Sequence, residues 1–275
     1  MPGNNSRADL KDSPGIRPAA VAGAFYPSHR RTLESSIDQM LRSAVRFGRR
    51  PKALVVPHAG YIYSGPIAAS AYAQLRAPLP TRVVLLGPSH FAHVRGMALP
   101  VAECFSTPLG TVPVDAVAVA ALAHQACVVV SPAAHEREHS LEVQLPFLQR
   151  VLLHFTLVPL SVGQARADDV ARVLDILWGG EETLIVISTD LSHYLPYDSA
   201  QAMDSDTARA ILACDATVTD DQACGSHGLR GLLQLAHRRK LSVVQLDLRN
   251  SGDTAGDRSR VVGYGAFAFY EEAQP

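Results

Sequence analysis

Residues 184–193 read LIVISTDLSH, in which four apolar residues stop at a polar segment that ends in His193. Two other segments follow the same order: residues 53–58 read ALVVPH, and residues 83–90 read VVLLGPSH. Short apolar runs of this kind are typical of strands buried on both faces, as in parallel sheets. Because ligands of open α/β sheets gather beyond the carboxyl ends of the strands, we expect the three histidines to converge on one site.

Segments of helical spacing alternate with these apolar runs, and this alternation indicates the fold class. Leu33, Ile37, Met40 and Leu41, for example, recur at three- and four-residue intervals before the first strand. We predict an α/β fold, a single three-layer domain over residues 17–275 with a central, mainly parallel or mixed sheet flanked by helices. Residues 1–16 are mostly polar and are predicted to form a flexible tail.

Three local predictions concern the connections. Pro66 is expected to precede a helix over residues 67–75, and the spacing of apolar residues predicts one helix over residues 140–153. Residues 109–114, in which glycine and proline interrupt β-type residues, predict a hairpin at the edge of the sheet.

The composition narrows the class of protein. Of the 275 residues, 47% are hydrophobic, and the net charge of −1 comes without a long run of like charges, so we expect no nucleic-acid partner. No apolar run approaches the roughly 20 residues of a membrane span, and no export signal precedes the domain. We therefore expect no membrane partner and a cytoplasmic location. The four cysteines form no C-x-x-C pair, which favours reduced thiols.

His58 and His90 are the best candidates for metal ligands. Each follows the end of a predicted buried strand within four residues, in a segment that contains proline or glycine. Neutral imidazole is a common ligand for iron, copper and zinc, and two histidines on adjacent strand ends hold an ion while leaving room for an outside ligand. The alternative is that each ring only ties its own loop by hydrogen bonds.

Other polar residues near predicted strand and helix ends extend this candidate site. Asp190 and His193 follow the third strand, and Asp190 is suited to be a ligand, an orienting residue or a general base; the alternative is an N-cap beside a structural histidine. His139 and Glu142 are three apart at a predicted helix start and so share a face, although both could be solvated. Cys224 precedes a predicted helix whose N-terminus would favour the thiolate. A structural role is the alternative for this cysteine.

Taken together, seven segments resemble the Memo family, whose members are also named AmmeMemoRadiSam system protein B. They are Phe25-Tyr26-Pro27, Pro57-His58-Ala59-Gly60-Tyr61 with Ser64-Gly65, Gly87-Pro88-Ser89-His90, Glu138-His139-Ser140-Leu141-Glu142 with Leu145-Pro146, Ser188-Thr189-Asp190-Leu191-Ser192-His193, Ala223-Cys224-Gly225, and Asn250-Ser251-Gly252-Asp253. The matches run in order over almost the whole chain, from about residue 17 to residue 270.

This resemblance implies the fold of class III extradiol dioxygenases, non-haem iron enzymes that open catechol rings. It also implies a metal site of His58, His90 and Cys224, with Asp190 and His193 nearby. The dioxygenases have a glutamate as their third protein ligand, where the Memo pattern has cysteine. Because a thiolate is softer than a carboxylate and is oxidisable, the resemblance supports a metal site more strongly than ring cleavage.

The preferred hypothesis is an iron- or copper-dependent oxidoreductase, with zinc as a further candidate metal, that acts on a small molecule. In it His193 moves protons and Asp190 orients an imidazole, while Tyr61 and His139, with Glu142 behind, line the pocket. The family name adds an Amme protein and a radical SAM protein as expected partners. Two alternatives remain: a scaffold protein that binds a peptide or partner in the pocket, and a hydrolase with Cys224 as nucleophile and His193 or His227 as base.

Overall fold

The computed structural model describes residues 15–77 and 79–272. In chain order the strands are β1 (Ile16–Arg17), β2 (Ala53–Val56), β3 (Arg82–Pro88), β4 (Met97–Leu99), β5 (Cys104–Thr107), β6 (Gly110–Pro113), β7 (Val128–Val130), β8 (Thr156–Val162), β9 (Thr183–Ser188), β10 (His193–Leu195), β11 (Ser242–Asn250) and β12 (Val261–Tyr270). The helices are α1 (Arg30–Ser43), α2 (Tyr61–Tyr72), α3 (Ala116–Ala121), α4 (Ala133–Glu136), α5 (Leu145–Val151), α6 (Ala167–Ile176), α7 (Tyr197–Leu212) and α8 (Ser226–Arg239), with 3₁₀ turns at Glu142–Gln144 and Ser251–Asp253.

Within the described residues, nine strands form one mixed sheet. Its order is β10-β12-β2-β9-β3-β8-β4-β7, and β11 also pairs with β12. The four central strands β2, β9, β3 and β8 are parallel neighbours, whereas β12 and β4 run antiparallel to them at either side. The predicted α/β class with a mixed central sheet is confirmed. The carboxyl ends of β2, β9 and β3 therefore lie side by side at one edge of the sheet.

Helices cover both faces of this sheet. Side chains of β2 alternate between the faces: Ala53 and Val55 belong to one apolar core cluster, and Leu54 and Val56 belong to the other. α6 and α8 pack on the first face, and α1, α2 and α5 pack on the second. All four residues of β2 are fully buried, which explains why the parallel strands are continuous apolar runs in the sequence.

Three connections differ from the sequence prediction. α2 begins at Tyr61 and contains Pro66, so the expected start at residue 67 is wrong. Proline removes the N–H that would bond to the carbonyl of Ile62, and Ile62 is 68% exposed, so water can supply that hydrogen bond. The predicted helix over residues 140–153 is instead a 3₁₀ turn followed by α5, since Pro146 has no N–H for the carbonyl of Glu142.

The third difference is the hairpin of β5 and β6. It forms a separate three-stranded sheet with β1, not an edge of the main sheet. Most of the predicted tail, residues 1–14, lies outside the described residues, and Ile16 already pairs with Cys104. Among the described residues, no helix has the length and apolar character that a membrane crossing needs.

Candidate metal centre

Three histidines meet at the carboxyl edge of the parallel strands. His58 lies two residues beyond β2 and His90 two residues beyond β3, while His139 comes from the loop between α4 and the first 3₁₀ turn. One ring nitrogen from each lies within 4.8 Å of the other two. The ring centroids are 4.8 Å apart for His90 and His139, 5.3 Å for His58 and His90, and 5.5 Å for His58 and His139. The structure thus brings His58 and His90 together, as expected, and adds a third imidazole.

A chain of hydrogen bonds fixes the tautomer of His58. The Ser188 hydroxyl donates to the carbonyl oxygen of Ser140 at 2.7 Å and accepts from Nε2 of Gln144 at 2.8 Å. With its only proton committed, the hydroxyl must accept the N–H of His58 Nδ1, 2.9 Å away. Nε2 of His58 therefore carries the free lone pair that a metal ion requires.

The Gln144 amide is itself fixed by its surroundings. Its Nε2 donates to the carbonyl oxygen of Pro57 at 2.9 Å, and its Oε1 accepts the hydroxyl of Tyr72 at 2.8 Å. Gln144 and Ser188 are completely buried, and burial together with the neighbouring histidines lowers the pKa of His58 well below its usual value. The imidazole is therefore neutral, which is the form that binds metals.

Glu138 fixes the tautomer of His90, as Ser188 does for His58. The carboxylate accepts the backbone N–H of His90 at 2.6 Å and the N–H of Ser140 at 2.9 Å, and its Oε1 lies 2.9 Å from Nδ1 of His90. Although burial opposes ionisation, these hydrogen bonds and the His90 side chain lower the pKa of Glu138 to about 2. An ionised carboxylate can only accept, so Nδ1 of His90 carries the proton and Nε2 is free.

Gly87 allows the loop that carries Glu138 to approach β3. A Cβ atom at Gly87 would lie 2.6 Å from the Ser140 hydroxyl, so any larger residue would displace the loop. The hydroxyl of Ser140 donates to the carbonyl oxygen of Pro88 at 3.0 Å and ties the loop to the strand end. Glycine at the end of β3 is therefore part of how the site is assembled.

His139 faces the other two histidines from this loop. Its ring is nearly parallel to that of His90, with an interplanar angle of 17°, and it packs on Phe25 at a centroid distance of 4.7 Å. Nδ1 of His139 lies 3.5 Å from Oε1 of Glu138. Burial lowers the pKa of His139, so this imidazole is also neutral near pH 7.

Cys224 lies beside His58. Its Sγ is 3.4 Å from Nε2 of His58 and accepts the backbone N–H of Asp190 at 3.3 Å. Gly225 permits this approach of α8 to β9, because a Cβ atom there would lie 2.8 Å from the carbonyl oxygen of Ser188. The expected thiolate is not the resting form: burial and the nearby Asp190 raise the pKa of Cys224 to about 12. Burial outweighs the helix N-terminus, so the thiol keeps its proton near pH 7.

Asp190 orients the backbone of His58. Its Oδ1 accepts the N–H of His58 at 2.7 Å, and the residue is 5% exposed. Burial raises the pKa of Asp190, partly offset by the His58 N–H. The carboxylate thus acts on the main chain of a histidine, whereas the sequence suggested an imidazole as its partner.

His193 opens β10 on the wall of the site, outside the group of three mutually close histidines. Tyr194 follows it in the left-handed backbone region, with φ of 58°, which is uncommon for a non-glycine residue. Arg260 lies over the Tyr194 ring at 5.3 Å from its centroid. His193 lines the same cavity as His58 and His90.

A cavity of about 640 Å³ opens above the histidines, a size typical of small-molecule sites. It is lined by the histidines, by Asp190, and by residues that include Phe25, Tyr63, Tyr194, Tyr264 and Arg260. Aromatic rings form much of the lining, and the imidazoles and Asp190 contribute polar groups to it.

Two of the expected pocket residues lie elsewhere. Tyr61 is 4% exposed, and its hydroxyl donates to the carbonyl oxygen of Val143 at 2.7 Å within the core. Glu142 is completely buried and pairs with Arg17. His227, a candidate base for Cys224, lies within hydrogen-bonding distance of the carbonyl oxygen of Ala165, at 2.8 Å from Nδ1.

Sequence reasoning missed the roles of Glu138, Ser188 and Gln144, and treated His139 only as a pocket residue. The adjacent pair Glu138-His139 was a usable signal, since a carboxylate beside a histidine commonly orients metal-ligating imidazoles. Nothing local marks Ser188 or Gln144, because their partners are more than 40 residues away in sequence.

Comparison with known proteins identifies the family of this chain. A family model described as "Memo-like protein" matches residues 17–268. A MEMO1 family protein from Aquifex aeolicus is 35% identical over 263 residues, covering 90% of this chain and 97% of its own. A MEMO1 family protein from Methanothermobacter thermautotrophicus is 35% identical over 274 residues, covering 90% and 98%.

Among solved structures, an uncharacterized protein from Escherichia coli K12, JW3007, is similar with a TM-score of 0.50 and 18% identity. The match covers 78% of this chain and 99% of that chain, and it supports the fold alone. The α/β architecture with a mixed central sheet is consistent with the dioxygenase-like fold that the resemblance implied. On the family model and the relatives at 35% identity, this chain belongs to the Memo-like protein family.

Proposed function

We propose that this protein binds a redox-active metal ion, iron or copper, and acts as an oxidoreductase on a small molecule. The proposal rests on the convergence of three imidazoles at one end of the parallel strands, two of which have a defined tautomer. Ser188 and Glu138 each hold an Nδ1 proton, so Nε2 of His58 and of His90 are available to one ion. Such an arrangement is far more specific than histidines that merely tie their own loops.

The donor set fits the proposed metals. Imidazole suits iron, copper and zinc, and a nearby thiol adds preference for copper(I), iron or zinc. We propose His58, His90 and His139 as ligands, with Cys224 completing the set on the His58 side. When bound, the ion would supply redox chemistry or Lewis acidity at the floor of the cavity.

The surrounding residues have separate roles in this proposal. The cavity of about 640 Å³ admits a molecule of one or two rings, and its aromatic wall would exclude water around it. His193, which stands apart from the three close histidines, is proposed to accept or donate a proton from the bound molecule. Asp190 keeps the His58 main chain in place.

Metal content tests the proposal. We would reconstitute the protein anaerobically with iron(II) or copper(I), remove loose metal, and measure bound metal by elemental analysis. His90→Ala and His139→Ala should lose most of the metal. His154→Ala, which changes an exposed histidine away from the site, is the matched control and should bind as the parent does. Equal occupancy in parent, His90→Ala and His139→Ala would refute the site.

A further inference from the structure

The buried carboxylate of Glu142 binds several groups of the N-terminal segment of the described chain. It accepts the N–H of Ala20 at 2.7 Å, the N–H of Val21 at 3.0 Å and the hydroxyl of Tyr26 at 2.6 Å, and it forms an ion pair with Arg17. All four donors come from residues 17–26, more than 110 positions away in sequence. The role of Glu142 is therefore to fix the path of this segment, and its carboxylate does not face a substrate.

Arg17 also holds the loop that carries the metal-site residues. Its Nε donates to the carbonyl oxygen of His135 at 3.0 Å, and a terminal nitrogen donates to the carbonyl oxygen of Glu138. The guanidinium thus bonds at three points to residues 135–142, and its side chain is 4% exposed. A planar group with several donors suits this geometry, whereas a lysine ammonium cannot span it.

The loop in turn positions all three histidines. Glu138 holds His90 through its carboxylate, the carbonyl oxygen of Ser140 takes the proton of Ser188 and so sets the His58 tautomer, and His139 belongs to the loop itself. The segment held by Glu142 adds Phe25, whose ring packs on His139. Arg17 is thus linked to His90 through Glu138, and to His58 by the longer path through Ser140 and Ser188.

We infer that Arg17 and Glu142 are positioning residues of the metal centre, and that strand β1 with residues 18–26 is an integral part of it. This inference rests on the proposed metal site. It gives β1, only two residues long, a role that its length would not suggest.

A purely structural role makes a different prediction. A buried ion pair that only stabilised the fold would affect global stability without a selective effect on the histidines. Positioning should instead appear as weaker metal binding and as local opening of the loop, while the central sheet stays protected.

The experiment compares Arg17→Lys and Arg17→Gln with Arg82→Gln. The last variant breaks a less buried ion pair, between Arg82 and Asp115, at the opposite end of β3. Two readouts are needed: affinity for cobalt(II) by spectroscopic titration, and hydrogen exchange of individual amides in metal-free protein.

We expect both Arg17 variants to bind cobalt(II) ten- to a hundredfold more weakly, as outer partners of metal ligands typically do. The amides of His90 and Ser140, which donate to Glu138, should exchange at least tenfold faster, with β9 amides unchanged. Arg82→Gln should leave both readouts near parent values.

Parent-like affinity and exchange in both Arg17 variants would overturn the inference, as would faster exchange throughout the sheet. If the parent binds no cobalt(II), the proposed metal site fails; the exchange readout still decides whether Arg17 positions His90 and Ser140.

Discussion

Nδ1 of His90 lies 2.9 Å from Oε1 of Glu138, and the other oxygen of that carboxylate accepts the backbone N–H of the same histidine at 2.6 Å. One buried carboxylate therefore sets both the ring and the main chain of His90. Because the pKa of Glu138 is lowered to about 2, it remains ionised throughout the physiological range. This pair holds the Nδ1 proton and leaves Nε2 of His90 free to bind a metal ion.

Glu138→Gln should weaken metal binding while the protein remains folded. An amide is isosteric with the carboxyl group, but it can donate to His90 Nδ1 and so favour the wrong tautomer. We expect zinc or cobalt(II) affinity to fall by ten- to a hundredfold. Competition titration with a chromophoric chelator measures this, and Glu136→Gln, at an exposed carboxylate two residues away, is the control. A parent-like affinity would show that Glu138 does not orient His90.

Ser188→Ala should affect both stability and the His58 tautomer. The substitution leaves Nε2 of Gln144 and the carbonyl oxygen of Ser140 each short of a buried partner, with a cost of about 1–3 kcal/mol in the free energy of unfolding. Loss of the Nδ1 acceptor should also populate the tautomer whose Nε2 is protonated. Urea unfolding measures the first effect, and long-range ¹H–¹⁵N spectra of the imidazoles measure the second. An unchanged tautomer would refute the hydrogen-bond chain.

Cys224→Ser should alter metal preference more than stability. Serine keeps the size of the side chain but removes the soft donor, so copper(I) affinity should fall more steeply than zinc affinity. We expect a change in unfolding free energy of less than about 1 kcal/mol, because the serine hydroxyl can accept the N–H of Asp190 in place of Sγ. Paired titrations with copper(I) and zinc measure the difference. Equal losses for the two metals, or none, would remove Cys224 from the ligand set.

The burial of His135 should make the stability of the protein sensitive to acid, whether or not a metal is bound. Its Nε2 lies 2.9 Å from the carbonyl oxygen of Ala98, and burial lowers its pKa to about 4. The unfolded chain, with a pKa near 6.5, binds this proton more tightly, so stability is complete above pH 6.5 and falls as the pH drops toward 4.

At pH 5 the burial of neutral His135 should lower the free energy of unfolding by ~2 kcal/mol relative to its value above pH 6.5. His135→Gln, which retains an amide donor for Ala98, should lose that part of the pH dependence. Urea unfolding at pH 7 and pH 5 for both proteins isolates it, since other titrating groups cancel in the difference. An identical pH dependence in the two proteins would contradict the assignment.

The sequence was sufficient to predict the central sheet and the proximity of His58 and His90. Strands such as β2 and β9 are buried on both faces, so their apolar runs are unbroken, and parallel strands carry whatever follows them to one edge. The positions of His58 and His90 follow from that register alone. The helix limits near Pro66 and Pro146 were less predictable, because tertiary packing decides whether a proline starts or interrupts a helix.

The rest of the site depends on contacts between distant segments. His139 is held by a loop without periodicity, and Tyr61 and Glu142 point into the core because Val143 and Arg17 are there to receive them. Cys224 shows why local rules can fail: the N-terminus of α8 favours a thiolate, but burial between β9 and α8 has the larger effect. Such competition between a local signal and burial is invisible in sequence.

In the proposed centre, the imidazoles of His58, His90 and His139 bind one metal ion. X-ray absorption at the metal edge, on protein reconstituted anaerobically with iron(II) or copper(I), identifies the ligand atoms. We predict scattering from three imidazole ligands, with an added sulfur contribution that Cys224→Ser removes. A bound ion surrounded only by oxygen ligands, or the absence of any bound ion, would refute the proposed centre.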